Sequence, residues 1–171
     1  MTKVAERIQI GSDKDCPIGL NFKPGLAVVH ACKTCHARRV GYKGSLKSDH
    51  PNYLWDEVTS GKKDSGGDLF LNLIDPPVPL FKLESFKKFL DWATPRYEKG
   101  DTILIHCNQG ESRAPSLALL LVAKLGLNSS GSYQAALNEF KGKPSEPGVF
   151  PNYKPGKGIE TFLTEHWNEL V

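Results

Sequence analysis

The chain has 171 residues, 39% of them hydrophobic and 24% charged, with 22 basic against 19 acidic side chains and a formal charge of +3. That is the composition of a soluble globular protein, long enough to bury a core without disulfides or metals, and a single domain spanning 1–171 is expected. So small a charge gives no footing for a nucleic-acid partner, and any affinity for anions must be local.

In chain order, "RIQIGS" (Arg7–Ser12) alternates polar and apolar residues and ends in a turn-forming Gly-Ser, as a half-buried strand does. "GLAVVHAC" (Gly25–Cys32) is an apolar run behind Pro24 and reads as a buried strand. Lys33–Ser48 is basic and irregular, "DHPNYLWDEV" suggests a short helix from Pro51, and Ser60–Asp68 has the composition of a surface loop. "LFLNLI" (Leu69–Ile74) is a further strand, stopped by Asp75, Pro76 and Pro77. Leu83, Phe86, Phe89, Leu90, Trp92 and Ala93 then recur at helical spacing up to Gly100. "DTILIHC" is a fourth strand, and "RAPSLALLLVAKLG" a helix apolar almost all round, which must be buried. Two amphipathic helices follow, "GSYQAALNEFKG" and "KGIETFLTEHWNELV", separated by a Pro- and Gly-rich linker over 143–158. The pattern predicts an α/β fold with a central, mainly parallel sheet of four to five strands and helices on both faces.

No apolar signal core opens the chain, and the longest apolar run, Leu117–Leu127, is broken by Lys124 and too short for a bilayer. The expectation is a cytoplasmic protein without a membrane partner, its four cysteines reduced.

Ligands of such sheets sit beyond the carboxyl ends of the strands. Cys107 ends the fourth strand there, and 108–113 lead into a helix. Backbone N–H groups of such a loop can turn inward around an anion, with the helix dipole behind them. The same field, with Arg113 and His106 beside it, favours negative charge on the Cys107 sulfur and makes it a nucleophile. Arg113 offers a planar fork to two phosphate oxygens, which lysine could not. The site residues expected from this are Cys107 as nucleophile and His106, Asn108, Gln109, Gly110, Glu111, Ser112 and Arg113 around the anion. An inert buried thiol is the bland alternative.

His-Cys, five residues, then Arg, with Gly110 between, resembles the signature of the cysteine-dependent protein tyrosine phosphatases. "HCNQGESR" is most similar to the small dual-specificity members, which often carry Ser before the Arg. "RIQIGSDKD", "GLAVVHAC" and "FPNYKPGKGIETFLTEHWNEL" resemble the first strand and turn, the next strand, and the late Pro-Asn segment with its closing helix. Lys33–Gly67 matches poorly. The resemblance implies hydrolysis of phosphate monoesters through a phosphocysteine, with a phosphorylated protein as partner and no cofactor or metal. It also implies an aspartate general acid on a loop after a strand, and Asp75, thirty-two positions before Cys107, fits. Asp68 and Asp91 are its rivals, and a turn-forming aspartate before proline is the bland reading of Asp75.

One departure stands out. The family commonly places Ser or Thr after the arginine to help the thiolate leave, and here that residue is Ala114, with Ser116 pointing about 200° around the helix axis. A slow second step, or a phosphate-binding module with little turnover, is therefore an alternative, as is an RNA 5′-triphosphatase. Cys32 and Cys35 in "HACKTCH" have zinc-knuckle spacing, with His36 and His50 as possible further ligands, and a redox pair is another alternative, but there is no second Cys-x-x-Cys and His30 and Cys32 belong to an apolar strand pattern, so ordinary structural use is preferred and no metal is assigned. Lys33, Arg38, Arg39, Lys43 and Lys47 are either a solvated face or a funnel for anions, and Tyr53 and Trp55 either core or pocket wall.

Overall fold

The computed structural model describes residues 1–17, 23–39, 55–57, 65–129 and 131–171. Four parallel strands form its centre: β2 (Ile8–Gly11), β6 (Thr102–His106), β3 (Leu26–His30) and β5 (Gly67–Phe70), side by side in that order. Antiparallel edge strands β1 (Thr2–Ala5) and β4 (Trp55–Glu57) bring the sheet to six. The α/β class and mainly parallel sheet are those the sequence predicts, and its four strands are the central ones.

Strand parity sorts the side chains. Ile8 and Ile10, Ala27 and Val29, Leu69, and Ile103 and Ile105 are buried in one continuous core. That core is capped by α2 (Leu83–Glu98), α3 (Arg113–Lys124), α4 (Tyr133–Lys141) and α5 (Lys157–Leu170). α3 lies directly on β2 and β6 and is flanked by the other three helices, so Ala114 to Ala123 are all buried. Leucine and alanine sustain the helix, Pro115 falls in its first turn where a missing N–H costs nothing, and Gly126 at φ +68° ends it.

The other sheet face carries His30 and His106, and α1 (Lys33–Arg39) packs there through Cys35. This helix corrects the irregular segment expected from Lys33 onward. It is short, and its burial of Cys35 and His36 against the sheet stabilises it more than its own propensity does. The helix expected from Pro51 is corrected over Trp55–Glu57, which pair with β5 as a strand; 51–54 lie outside the described residues, as do 60–64 of the expected loop. β5 begins at Gly67, so Gly67 and Asp68 belong to the sheet rather than to that loop. Within the 143–158 linker, β7 (Gly142–Lys143) and β8 (Glu146–Pro147) form a small hairpin.

Arg96 is buried inside α2, its Nε donating to Gly66 O at 3.0 Å and its guanidinium lying 4.0 Å over the Trp92 ring. Leu117 sits fully buried where α3 meets the sheet. Leu117→Ala is expected to lower the unfolding free energy by about 2–5 kcal/mol, measured by urea titration against wild type.

Candidate active site

β6 ends at His106, α3 starts at Arg113, and the chain between them curls back on itself at the carboxyl edge of the sheet. The curl needs a residue at positive φ, and Gly110 supplies it at φ +76°. It also needs a residue without a β-carbon, because one built at Gly110 would stand 2.9 Å from Gly11 O. The turn brings the Gly110 amide to 3.2 Å from the Cys107 sulfur, to which it donates. Among the described residues, no backbone carbonyl accepts from the amides of Asn108, Gln109 or Glu111. These donors line a concave loop at the positive end of the helix dipole of α3.

The loop is braced from four sides. β2 and the turn after it hold it through Cys107 N to Gly11 O at 3.4 Å and Asp13 N to Asn108 O at 3.1 Å. α1 accepts from it, Asn108 Nδ2 donating to Thr34 Oγ1 at 3.2 Å. The segment after β5 is tied in by Arg113, whose Nη1 donates to Leu73 O at 2.9 Å and whose Nη2 donates to Asn108 Oδ1 at 3.1 Å. The late Pro-Asn segment closes the fourth side: Gly156 N donates to Ser112 Oγ at 2.8 Å and Lys154 N to Glu111 O at 3.2 Å.

Cys107, Asn108, Gly110, Ser112 and Arg113 therefore converge, while Gln109 and Glu111 are exposed on the rim. Asp75 is exposed, two residues beyond the carbonyl that Arg113 grips, and its carboxylate lies against Gly156, where a β-carbon would collide with Oδ1. Gly156 is bonded to the loop through Ser112, so Asp75 stands at the loop's edge. Neither rival is placed so: Asp68 accepts from His30 at 2.7 Å on the far sheet face, and Asp91 is exposed on α2. Ala114 is fully buried, and the Ser116 hydroxyl is engaged elsewhere, donating to Ser112 O at 2.7 Å and meeting Tyr153 OH at 2.6 Å. Burial pushes the Tyr153 phenol well above its usual range, so it stays neutral as a partner for Ser116.

His106 is placed differently from the sequence expectation. Its ring is fully buried and turned to the far sheet face, with Nε2 2.7 Å from His30 Nδ1, rather than toward the mouth of the loop. Burial, the largest single influence, opposes charge on His30, but Asp68 and Cys16 together outweigh it and raise the ring above its ordinary value. Cys35, read from sequence as the partner of Cys32, has its sulfur 3.6 Å from that of Cys16; His36 is buried on α1, and His50 lies outside the described residues. Hydrogen bonding to Cys35 draws the Cys32 thiol down to about 6, while hydrogen bonding to Cys16 and then to Cys32, together with burial, pushes that of Cys35 up. None of the four cysteines is in a disulfide. Of the basic stretch, Lys33, Arg38 and Arg39 are exposed on α1 beside the loop, whereas Lys43 and Lys47, with Tyr53 and the Trp55 side chain, lie outside the description. Gly110→Ala, strained in φ and crowded by Gly11 O, is expected to lower the unfolding free energy by at least about 1 kcal/mol in a denaturant titration.

No family model and no curated protein matches the sequence. Solved structures do resemble it. The human tyrosine phosphatase-like serine/threonine/tyrosine-interacting protein is 13% identical, with a TM-score of 0.60 over 99% of this chain and 96% of that one. DUSP15 is 16% identical, with a TM-score of 0.57 over 98% and 86%. PTPMT1, solved in complex with PI(5)P, is 13% identical, with a TM-score of 0.59 over 98% and 94%. Sheet order, loop and flanking helices together give this chain the fold of the cysteine-dependent protein tyrosine phosphatases, in the small dual-specificity form.

Proposed function

We propose that residues 1–171 form one catalytic domain that hydrolyses phosphate monoesters, above all phosphotyrosine and with it phosphoserine and phosphothreonine, in a phosphorylated protein partner. The observation that carries this reading is the Cys107 sulfur accepting the Gly110 amide at 3.2 Å inside a loop that Arg113 closes. The thiolate attacks phosphorus and the P–O bond to the leaving group breaks. Asp75, as a carboxylic acid, protonates the departing oxygen and then, as a carboxylate, takes a proton from the water that splits the phosphocysteine. Loop amides and the Arg113 fork hold the equatorial oxygens as charge moves onto them. Arg113 Nε, buried and without a hydrogen-bond partner among the described residues, is a donor left for that purpose.

The exposed Lys33, Arg38 and Arg39 of α1 support an anionic substrate by steering it toward the loop. PTPMT1 was solved with a phosphoinositide, but the loop here has no lysine to pair with additional phosphates, which favours a protein substrate. No helix among the described residues is long and apolar enough to cross a membrane. A second reading, a phosphate-binding module with little turnover, is favoured by one observation: Ala114 occupies the place of the hydroxyl that would assist the second step, and Ser116 is bonded away from it.

Turnover of para-nitrophenyl phosphate is expected in the wild type, abolished by Cys107→Ser and reduced about 10²- to 10⁴-fold by Asp75→Asn. Phosphopeptide binding by the wild type with no phosphate released would establish the module instead. Faster turnover of 5′-triphosphorylated RNA than of phosphotyrosyl peptide would overturn the substrate class. Because the second step lacks its hydroxyl, stopped-flow should show a burst of one equivalent of nitrophenol, and Ala114→Ser should shrink the burst and raise the steady-state rate.

A further inference from the structure

Beneath the loop, on the sheet face opposite α3, four side chains from four separate segments converge. Cys16 follows the 3₁₀ turn Asp13–Asp15, His30 ends β3, Cys35 lies in α1 and His106 ends β6. Their Sγ, Nδ1, Sγ and Nε2 atoms all lie within 4.8 Å of one another. Cys16 Sγ is 3.6 Å from Cys35 Sγ and 3.7 Å from His30 Nδ1. Cys35 Sγ is 4.0 Å from His106 Nε2, and the two ring nitrogens are 2.7 Å apart. A tetrahedral zinc ion with ordinary bond lengths sets its ligand atoms about 3.8 Å apart for two sulfurs, about 3.5 Å for sulfur and nitrogen, and about 3.3 Å for two nitrogens. Three of the four measured edges are within about half an ångström of this, and the fourth needs the two rings to part by roughly 0.6 Å.

We infer that this cluster is a structural zinc site of two cysteine and two histidine ligands. Two thiols and two imidazoles are a donor set suited to zinc. His30 and His106 are fully buried and Cys35 nearly so. The supporting bond is already in place: His30 Nε2 lies 2.7 Å from Asp68 Oδ1, which keeps the ring proton on Nε2 and leaves the Nδ1 lone pair toward the centre of the cluster, 2.7 Å from His106 Nε2 and 3.7 Å from Cys16 Sγ. Zinc displaces the two thiol protons and moves the His106 proton to Nδ1, so the filled site is neutral, as its depth in the fold requires.

The inference replaces the Cys32–Cys35 pairing that sequence spacing suggests, and it rests on no catalytic assignment. Its consequence is mechanical. The turn that bears Cys16 also supplies the amide that holds Asn108 O, and the helix that bears Cys35 supplies the hydroxyl that holds Asn108 Nδ2. A metal linking both to β3 and β6 fixes the floor on which the loop rests.

The test is elemental analysis of protein purified under anaerobic, reducing conditions after growth with zinc. One equivalent of zinc per chain is expected in the wild type, Cys32→Ser and Cys107→Ser, and close to none in Cys16→Ser and Cys35→Ser. Since the ligand variants could fail to fold, wild-type protein stripped by a chelator is also titrated with cobalt(II), which should give the ligand-field and thiolate charge-transfer bands of a tetrahedral two-sulfur, two-nitrogen site, and readdition of zinc should raise Tm. Stripped wild type with four titratable thiols that takes up neither metal would overturn the site, as would a Cys16–Cys35 disulfide persisting under reduction. Loss of zinc in Cys32→Ser with retention in Cys16→Ser would hand the metal to the knuckle pair, and loss in Cys107→Ser would place it in the loop; either defeats the inference. Failure of the phosphatase reading shows instead as absent turnover in zinc-replete wild type.

Discussion

Parallel register between β3 and β6 governs where both the Cys107 loop and the buried Cys-His cluster sit. His30 lies opposite His106 in that ladder, and Ala31 N donates to His106 O at 2.8 Å as the strands run out. Once that pairing is set, the residues following each strand must emerge together at the carboxyl edge. Cys107 enters its loop beside Ala31 and Cys32, and the two imidazoles are driven to the same sheet face. A shift by one residue would turn every side chain of β6 over, putting Ile103 and Ile105 on the face that now carries His106. The isoleucine core beneath α3 forbids that, so hydrophobic burial fixes the geometry of polar groups that contribute little to it.

The loop itself is cheap in contacts and expensive in conformation. Its own residues bury few apolar atoms, and Gly110 holds a backbone angle that other residues reach only with strain. Its shape is therefore imposed from outside, by Gly11 and Asp13, by Thr34, by Leu73 and by Gly156. Those contacts come from segments far apart in sequence, and among the described residues they leave the amides of Asn108, Gln109 and Glu111 without a backbone carbonyl acceptor. Arg113 belongs to both sides of this arrangement: one arm reaches the segment carrying Asp75 and the other reaches Asn108, so it ties the Cys107 loop to that segment.

Much of this was legible in the residues. The four central strands are short apolar runs bounded by glycine, proline or aspartate, and α2 to α5 follow helical periodicity. His-Cys and Arg at that spacing, with glycine between, announced a loop at a strand-to-helix junction, and Asp75 before two prolines lies at the edge of that loop. β1, α1 and the β7–β8 hairpin were not legible. β1 and β7–β8 are too short for periodicity to register, and α1 exists because Cys35 and His36 find burial against the sheet rather than because its sequence favours a helix.

What the sequence determined alone is local: which runs must be buried, where the chain must turn, and which spacing can cradle an anion, since each depends only on neighbouring residues. Tertiary structure decided which distant groups meet. Cys32 and Cys35 look like partners along the chain and do hydrogen-bond, yet the Cys35 sulfur also meets Cys16 and His106 in a cluster with His30, and His106, adjacent to Cys107 in sequence, faces away from the loop mouth. The reason is that strand parity and parallel register assign a side chain to a face of the sheet, and neither can be read until the neighbouring strand is known.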